Sequence, residues 1–472
     1  MSLLGLWVLG AVYAVVVAYF VLLNLIYLLT GLVAFRALRR YANRLQVLDT
    51  EELIAGGGVP PITLIAPAFN EEATCVEATR ALLTLRYPDY EILVVNDGSR
   101  DGTLARLTEA FALAPAVRAP MAPIPTRPVR AVLRSAVHAN LWVIDKENGG
   151  KADALNAGLD YARTPLFCAL DADSLLEPDA LARVVRPFLE DKDTVAVGGI
   201  IRIANGCTVE HGSVTRVRLP RALLARFQVL EYLRAFLSGR MAWAALDATL
   251  IISGAFGLFR RSIVVEAGGF ATDTVGEDME LVVRLHRLCR ERGLPYRITF
   301  VPDPAAWTEC PETLRVLGRQ RDRWQRGLSE TLTRHRRMLF RHRYGRIGLL
   351  AYPYFFLFEM LGPAVEAAGY VAFVVMLLLG RGAGPYAWIF LLVSLGLGVA
   401  QSVAAVALEE MSFRRYPRLR DVLALFGLAL AENFGYRQLS TWWRMKGMYS
   451  ALRGTKGWGT MTRKGFAART SP

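Results

Sequence analysis

The sequence predicts an α/β domain flanked by apolar membrane segments, and three features support this. Hydrophobic residues make up 53% of the 472 residues, a share that is high for a soluble enzyme and indicates that part of the chain lies in lipid. Through residues 60–305, short apolar runs alternate with amphipathic stretches, as in a mostly parallel sheet covered by helices. Long apolar runs lie on both sides of this region, within residues 1–36 and 347–440.

The first apolar run extends from Met1 to Phe35 and carries no charge. It exceeds the roughly 20 apolar residues that a transmembrane helix needs. No basic residue precedes it, unlike in a signal peptide, whereas three arginines follow it from Arg36 onward. The positive-inside rule therefore predicts that residues 1–36 are a transmembrane helix with its N-terminus outside, and that the chain beyond them enters the cytoplasm.

The central region predicts the strands and helices of the α/β domain. A surface excursion is expected at residues 114–130, which hold five prolines and show no periodicity. The predicted strands are Ile62–Ala66, Ile92–Val95, Leu141–Ile144, Leu166–Leu170 and Val195–Ile200, and two predicted helices are Glu72–Leu85 and Ala180–Leu189.

Apolar runs return near the C-terminus, at Ile347–Gly380, Tyr386–Leu408 and Val422–Ala431. Four arginines lie between the last two runs and predict a cytoplasmic loop. Residues 441–472 are also basic and predict a cytoplasmic tail, which three full crossings would not allow. Either residues 421–440 are interfacial or re-entrant, or the first run crosses twice.

Charge is unevenly distributed. Much of the net charge of +14 comes from two blocks, since residues 313–346 contain eleven arginines and residues 437–472 contain eight lysines and arginines. Such blocks suit an anionic membrane surface or phosphorylated ligands, so residues 306–346 are predicted to form an amphipathic interfacial region. No nucleic-acid recognition motif accompanies the charge, and we expect no nucleic-acid partner. The five cysteines are scattered without a Cys-x-x-Cys pair, which argues against a zinc site and a disulfide framework.

Polar residues follow several predicted strands, where ligands of open α/β sheets bind. Asp171 and Asp173 end one strand and are spaced so that both carboxylates can approach a divalent cation such as Mg²⁺ or Mn²⁺. Alone, such a pair is more often a solvated turn. Residues 67–71 and 94–103 end two other strands, and residues 148–156 open a helix with two glycines and a lysine, which suits phosphate.

Two further motifs lie downstream. Glu277 and Asp278 begin a helix, where acids are ordinary capping partners, but Asp278 could also serve as a general base. Gln320-x-x-Arg323-Trp324 lies in the arginine-rich block. Trp324 could stack on a sugar face, and otherwise it is an interfacial tryptophan.

Taken together, these motifs resemble those of processive family 2 glycosyltransferases, the group that includes cellulose, hyaluronan, chitin-oligosaccharide and poly-N-acetylglucosamine synthases. The order and approximate spacing of Asn96-Asp97-Gly98, Asp171-Ala172-Asp173, Glu277-Asp278 and Gln320-x-x-Arg323-Trp324 carry the resemblance. It covers residues 60–330 closely and the flanking apolar segments in outline. It implies a GT-A fold at residues 60–305, on the cytoplasmic side of a multi-pass inner-membrane protein.

The resemblance also implies roles for individual residues. Asp97 would contact the base or ribose of a nucleotide-sugar donor, expected to be a UDP-sugar, with Phe69 and Glu71 nearby and Lys151 beside the nucleotide. Asp171 would bind the donor diphosphate. The remaining roles would be metal binding by Asp171 and Asp173, general-base catalysis of an inverting transfer by Asp278, and diphosphate and acceptor binding by Gln320, Arg323 and Trp324.

Two functions remain open on these grounds. The first is a synthase that elongates a β-linked polysaccharide and exports it, with membrane lipid around it and an accessory export subunit or a homo-oligomer as further partners. The second is a non-processive transferase acting on a lipid or lipid-linked acceptor. The Gln-x-x-Arg-Trp motif favours the first, and the small number of membrane segments favours the second. The acids of the motifs argue against a catalytically inactive scaffold.

Overall fold

The fold is described from a computed structural model that covers residues 3–45, 57–122, 124–171, 174–210, 212–379, 392 and 396–455. Ten strands form one sheet in the order β3-β4-β5-β2-β1-β6-β11-β8-β12-β7, and β9 and β10 form a separate hairpin. The strands are β1 (Ile62–Ala68), β2 (Tyr90–Asp97), β3 (Leu113–Pro115), β4 (Val129–Ser135), β5 (Leu141–Lys146), β6 (Leu166–Leu170), β7 (Leu175–Leu176), β8 (Thr194–Ile203), β9 (Thr208–Glu210), β10 (Ser213–Arg216), β11 (Phe256–Arg260) and β12 (Arg297–Thr308).

All five predicted strands are confirmed, as parts of β1, β2, β5, β6 and β8. The prediction of a mostly parallel sheet holds for the centre, where β5, β2, β1 and β6 pair in parallel. It is wrong for the sheet as a whole, because β11 is inserted antiparallel between β6 and β8, and β3, β4 and β7 are antiparallel to their neighbours.

Helices cover both faces of the sheet. Ile92 and Val94 of β2 belong to one buried cluster, and Leu93 and Val95 belong to another. This burial on both faces explains why the central strands are continuously apolar. The helices are α1 (Leu3–Leu45), α2 (Cys75–Leu83), α3 (Thr103–Phe111), α4 (Lys151–Tyr161), α5 (Ala180–Val184), α6 (Arg186–Glu190), α7 (Leu223–Leu233), α8 (Met241–Ala245), α9 (Arg261–Glu266), α10 (Glu277–Arg292), α11 (Leu314–Arg334), α12 (Tyr352–Tyr354), α13 (Gly362–Leu378), α14 (Leu397–Ser412), α15 (Leu419–Ala431) and α16 (Tyr436–Leu452).

The predicted surface excursion at residues 114–130 is confirmed for most of its length, which is exposed or half-buried, but its ends belong to β3 and β4 and its middle is anchored to the domain. Arg118 is buried and donates to both carboxylate oxygens of Glu91 and to the carbonyl of Tyr161, at 2.7–2.9 Å. Ile124 is buried as well. A proline-rich segment can therefore pack on the domain through one arginine and a few apolar side chains.

One helix of the described chain, Gly10–Arg44, is long and apolar enough to cross a membrane. A bent pair, Ile347–Met360 and Gly362–Leu378, would make a second span if its 42° bend is accommodated within one crossing. Of the predicted run Tyr386–Leu408, most of the first half lies outside the described residues, and the second half lies in α14. The described part of the chain thus supports a membrane-associated protein, and the multi-pass arrangement stays a prediction.

The C-terminal helices pack on the α/β domain through buried polar contacts. Arg202 of β8 and Glu409 of α14 form two hydrogen bonds of 2.9 and 3.0 Å, with both side chains almost fully buried. Farther along, α16 lies against α11, where the Nε of Arg444 donates to Gln325 at 2.8 Å. Helix α16 runs across the predicted boundary at residue 441, and β12 runs across the one at residue 305.

Candidate active site

A cavity of about 640 Å³ lies beyond the carboxyl end of β6, between the start of α10 and the face of α11. Its size is within the range of roughly 300–1,000 Å³ typical of small-molecule sites. Six of the residues singled out in the sequence line it: Lys151, Asp171, Asp278, Gln320, Arg323 and Trp324. The fold therefore brings together motifs that are up to 173 residues apart in the sequence.

A lysine joins two acids at one end of this cavity. Lys151 is the first residue of α4, and its Nζ lies 2.5 Å from Oδ1 of Asp171 and 3.1 Å from Oε1 of Glu277. Burial by itself would lower the pKa of Lys151, but the carboxylates of Asp171 and Glu277 outweigh burial and raise it. The ammonium group is therefore charged at neutral pH and neutralises acids that would otherwise repel each other.

Glu277 takes part in this cluster, although no role was predicted for it. Its side chain is buried, and burial raises its pKa, with the charge of Lys151 opposing the rise and that of Asp278 adding to it. An acid in a first helical turn is such a common capping residue that its position in the sequence does not distinguish it.

Asp278 is half-buried and points into the cavity beside this cluster. Its Oδ2 accepts a hydrogen bond from the backbone N–H of Gly254 at 3.0 Å, and its Oδ1 accepts one from that of Met279 at 2.8 Å. A Cβ atom at position 254 would lie 2.8 Å from Nζ of Lys151. Glycine at that position therefore lets a strand-end backbone approach both the acid and the lysine.

A pair of glycines sets the distance between Asp278 and the Gln-x-x-Arg-Trp motif. A Cβ added to Gly276, just before α10, would lie 2.9 Å from the Cα of Gly327 in α11. The two backbones are thus in direct contact. This contact places the first turn of α10 next to the stretch of α11 that carries Gln320, Arg323 and Trp324.

The three residues of that motif occupy different environments, of which that of Arg323 is half-buried at the edge of the cavity. Gln320 is buried, and its Oε1 has no hydrogen-bond partner among the described residues. Trp324 is 43% exposed, and its ring centroid lies 6.4 Å from that of Tyr232. The guanidinium of Arg321 lies 4.4 Å from the centre of the Trp324 ring and also pairs with Glu231. The indole ring therefore packs near Tyr232 and Arg321 and is also open to the cavity.

Phe69, Glu71 and Asp97 lie at neighbouring strand ends but do not line the cavity. Phe69 is 46% exposed. Glu71 accepts a hydrogen bond from the hydroxyl of Thr74 at 2.7 Å, and its backbone N–H donates to Thr103. These contacts fix the loops around the strand ends, and donor binding by Phe69 and Glu71 stays a prediction.

Asp97 is almost fully buried and organises the loop that precedes Lys151. Its carboxylate accepts hydrogen bonds from Nζ of Lys146 at 2.7 Å and from the backbone N–H groups of Gly149 and Gly150 at 3.0 and 2.8 Å. Asn148 also donates to it, at 3.1 Å. In this structure Asp97 therefore positions the start of α4, and a direct contact with the base or ribose stays a prediction.

Asp173, the second predicted metal ligand, lies outside the described residues. Among the residues that are described, no group of three or more His, Cys, Asp or Glu side chains is arranged to hold a metal ion. The acid of the motif that the structure does describe, Asp171, faces the cavity. Carboxylate ligands suit a hard cation such as Mg²⁺ or Mn²⁺.

Two family models match this chain. The one described as Glycosyl transferase family group 2 matches residues 166–400, and the one described as Glycosyl transferase family 2 matches residues 63–119. Together they cover the sheet apart from β4 and β5, most of the residues that line the cavity, and the first part of the C-terminal helices. The chain belongs to glycosyltransferase family 2.

This family 2 glycosyltransferase is similar to curated bacterial enzymes. It is 29% identical over 313 residues to the poly-β-1,6-N-acetyl-D-glucosamine synthase of Staphylococcus aureus strain COL, over 66% of this chain and 64% of that one. It is 28% identical over 292 residues to the synthase of the same name from Staphylococcus epidermidis, over 62% and 59%. The chain thus spans less than two thirds of the length of these relatives.

A solved structure supports the fold of this family 2 glycosyltransferase. A mannosyltransferase from Pyrobaculum calidifontis, in complex with GDP-Man and Mn²⁺, matches with a TM-score of 0.53 and 20% identity, over 89% of this chain and 99% of that one. The likeness bears out a GT-A-like α/β domain with a mixed sheet.

Several residues of the cavity were not predicted from the sequence. Arg240 belongs to a segment without a motif, and Gln325 and Arg444 are neighbours only because α16 folds back onto α11. Arg321 could have been predicted as a cavity residue, since it lies inside the Gln-x-x-Arg-Trp motif and directly follows the predicted residue Gln320. The others required the tertiary structure.

Proposed function

We propose that this chain is an inverting transferase that moves a sugar from a nucleotide diphosphate sugar to a hydroxyl group of a glycan. The observation that carries the proposal is the cavity itself, in which Lys151 and Asp171, the predicted base Asp278 and the Gln-x-x-Arg-Trp motif face one another. Membership of family 2 supports it. The nucleotide is expected to be UDP.

The donor diphosphate would bind where β6 and α4 meet. Lys151 provides a cation there, at the start of α4, and the loop that hydrogen-bonds to Asp97 fixes the position of that helix start. Asp171 and Asp173 would hold Mg²⁺ or Mn²⁺, and the similar mannosyltransferase contains Mn²⁺. When bound, the metal would neutralise charge that develops on the leaving diphosphate.

The acceptor would enter from the side of Trp324. Asp278 would take the proton from the attacking hydroxyl as that oxygen bonds to the anomeric carbon of the donor sugar. The bond between the anomeric carbon and the diphosphate oxygen breaks in the same step, and the nucleoside diphosphate leaves with the electron pair. Attack opposite to the leaving group inverts the configuration at that carbon.

We propose that the product is a β-linked polysaccharide, elongated and exported by an inner-membrane protein whose catalytic domain lies in the cytoplasm. The relatives named as poly-β-1,6-N-acetyl-D-glucosamine synthases support a polymer of this kind. The cavity also continues past the catalytic domain to Phe355, Glu359, Ser440 and Arg444 of the C-terminal region. Membrane lipid and an accessory export subunit or second copy would be its further partners.

A lipid-linked acceptor modified by a single sugar is the second candidate. The finding that favours it is the small number of candidate spans in the described chain, one helix and one bent pair. One or two membrane spans would supply few helices to line a wide polymer channel.

The experiment is to incubate the purified full chain with separate UDP- and GDP-sugars and to size the products by mass spectrometry. A long polymer supports the synthase, a lipid carrying one added sugar supports the second candidate, and no consumption of any donor refutes both. EDTA should stop turnover, and Mn²⁺ or Mg²⁺ should restore it. Turnover that continues in EDTA would refute metal binding by Asp171 and Asp173.

A further inference from the structure

Arg240 lines the cavity but has no role in the transfer reaction proposed above. Arg240 is the last residue of a π-helical segment, Arg234–Arg240, that joins α7 to α8. Its guanidinium lies over the ring of Phe236, 4.0 Å from the centroid, and both residues line the cavity. The Nη1 atom of Arg240 is buried and has no hydrogen-bond partner among the described residues.

Other cations of the cavity are already paired. Lys151 bonds to Asp171 and Glu277, Arg321 pairs with Glu231, and Arg444 bonds to Gln325 and Glu359. Within the described chain, Arg240 makes neither a hydrogen bond nor an ion pair. Its contact with Phe236 satisfies the flat face of the guanidinium but leaves the buried Nη1 without a hydrogen-bond acceptor from the described chain, which is unfavourable unless a ligand supplies one.

The position of Arg240 indicates which ligand that would be. Burial lowers its pKa to about 10, and Asp278 is the acid that most opposes the shift, followed by Tyr232. Arg240 therefore keeps its charge at neutral pH and lies near the predicted base and the aromatic pair of Tyr232 and Trp324. The acids at the donor end, Asp171 and Glu277, are bound by Lys151 instead.

Resting on the proposed transferase function, we propose that Arg240 binds the acceptor: its Nη1 donates a hydrogen bond to a hydroxyl or amide carbonyl oxygen of the terminal acceptor sugar. That bond holds the attacking hydroxyl at Asp278. The short π-helical turn supports this role, since such turns are frequent at functional sites and change the direction of the side chains they carry.

The test compares the wild type with Arg240→Met, which keeps an unbranched apolar stem and removes the guanidinium with its donors. Initial rates are measured with UDP-N-acetylglucosamine and a β-1,6-linked N-acetylglucosamine tetrasaccharide, and donor hydrolysis is measured without the tetrasaccharide. We expect the KM for the tetrasaccharide to rise roughly tenfold or more, as for the loss of one hydrogen bond to a charged donor. The KM for the donor and the rate of hydrolysis should change by less than about twofold. Arg240→Lys, which keeps the charge, should lie between the two.

Arg234→Met is the matched control. Arg234 lies at the other end of the same segment and pairs with Ser402 and Glu432 rather than facing the cavity. The Arg234→Met substitution should lower the Tm and leave the KM for the tetrasaccharide unchanged. An unchanged KM in both Arg240 variants, or an equal loss of hydrolysis and transfer, overturns the role of Arg240 alone. A wild type that consumes no nucleotide sugar overturns the proposed function and this role together.

Discussion

Replacing Lys151 with methionine should destabilise the catalytic domain in a way that a divalent metal corrects. Nζ of Lys151 lies between Asp171 and Glu277, and the three side chains are 15%, 27% and 4% exposed. Removing one partner of a fully buried ion pair costs about 3–5 kcal/mol. Because Asp171 is partly open to water, we expect a smaller loss, about 2–3 kcal/mol. For a domain of this size that is a fall in Tm of roughly 4–12 °C.

The assay is thermal unfolding of the full chain at pH 7.5, with and without MnCl₂. The raised pKa of Lys151 means that its stabilising charge is fully present below its ordinary value of 10.5 and is lost only as the pH rises above it. A ligand at 100 times its Kd stabilises a protein by about 2.7 kcal/mol, which is similar to the expected loss. In the variant, Mn²⁺ no longer competes with the ammonium group for Asp171. The metal should therefore raise the Tm of Lys151→Met more than that of the wild type.

Lys146→Met is the control for this experiment. Lys146 is also a buried lysine between two acids, with Nζ 2.7 Å from Asp97 and 2.6 Å from Asp153, but it does not line the cavity. It should lower the Tm at least as much, with no extra gain from Mn²⁺. An equal metal response in wild type and both variants would refute the idea that Lys151 occupies the charge environment of the metal site.

Three other predictions concern catalysis and pH. Asp278→Asn should reduce transfer by about 10²–10⁴-fold, the usual contribution of a general base, with donor binding by calorimetry unchanged; substantial turnover would remove Asp278 from that role. Trp324→Ala should reduce product formation more than donor hydrolysis, and an equal loss would contradict acceptor stacking. Burial alone would raise the pKa of Glu280, but a hydrogen bond from His335 and the charge of Arg284 hold it below its ordinary value. Its stabilising effect is therefore present above about pH 4.5 and lost as the pH falls through the lowered pKa. The Tm difference between wild type and Glu280→Gln should shrink below that pH, and a constant difference would contradict this origin.

The central strands were predictable because both faces of the sheet are buried, so their apolar runs are continuous. The antiparallel insertion of β11 was not, since Phe256–Arg260 has the same apolar character as a parallel strand. The local sequence pattern shows which residues are buried and how regularly they recur. The direction of a strand depends instead on how the chain returns to the sheet. The proline-rich segment shows the same limit: Arg118 anchors it through Glu91, a contact that no local pattern contains.

The cavity was predictable only in outline, and the reason lies in its charges. Strand-end acids were found because parallel strands bring their carboxyl ends to one edge. No role was predicted for Glu277 or Arg240, because each has an ordinary explanation in the sequence, as an acid in a first helical turn and as a residue of an apolar stretch. Glu277 gains significance from the lysine of another helix that it contacts, and Arg240 from its buried Nη1, which has no hydrogen-bond partner among the described residues.

The two ends of the cavity differ in how fully their polar groups are hydrogen-bonded. Asp97 is hydrogen-bonded by Lys146 and by the loop before α4, and Lys151 bridges two acids, so the proposed donor end is held in place before any ligand arrives. On the proposed acceptor side, Gln320 and Arg240 each retain a buried polar atom without a hydrogen-bond partner in the described part of the chain. A rigid donor end suits the precise geometry that phosphate and metal require. Unfilled polar atoms on the other side favour an acceptor that supplies oxygen and N–H or O–H groups, as a sugar does. The asymmetry therefore argues that the acceptor completes the site.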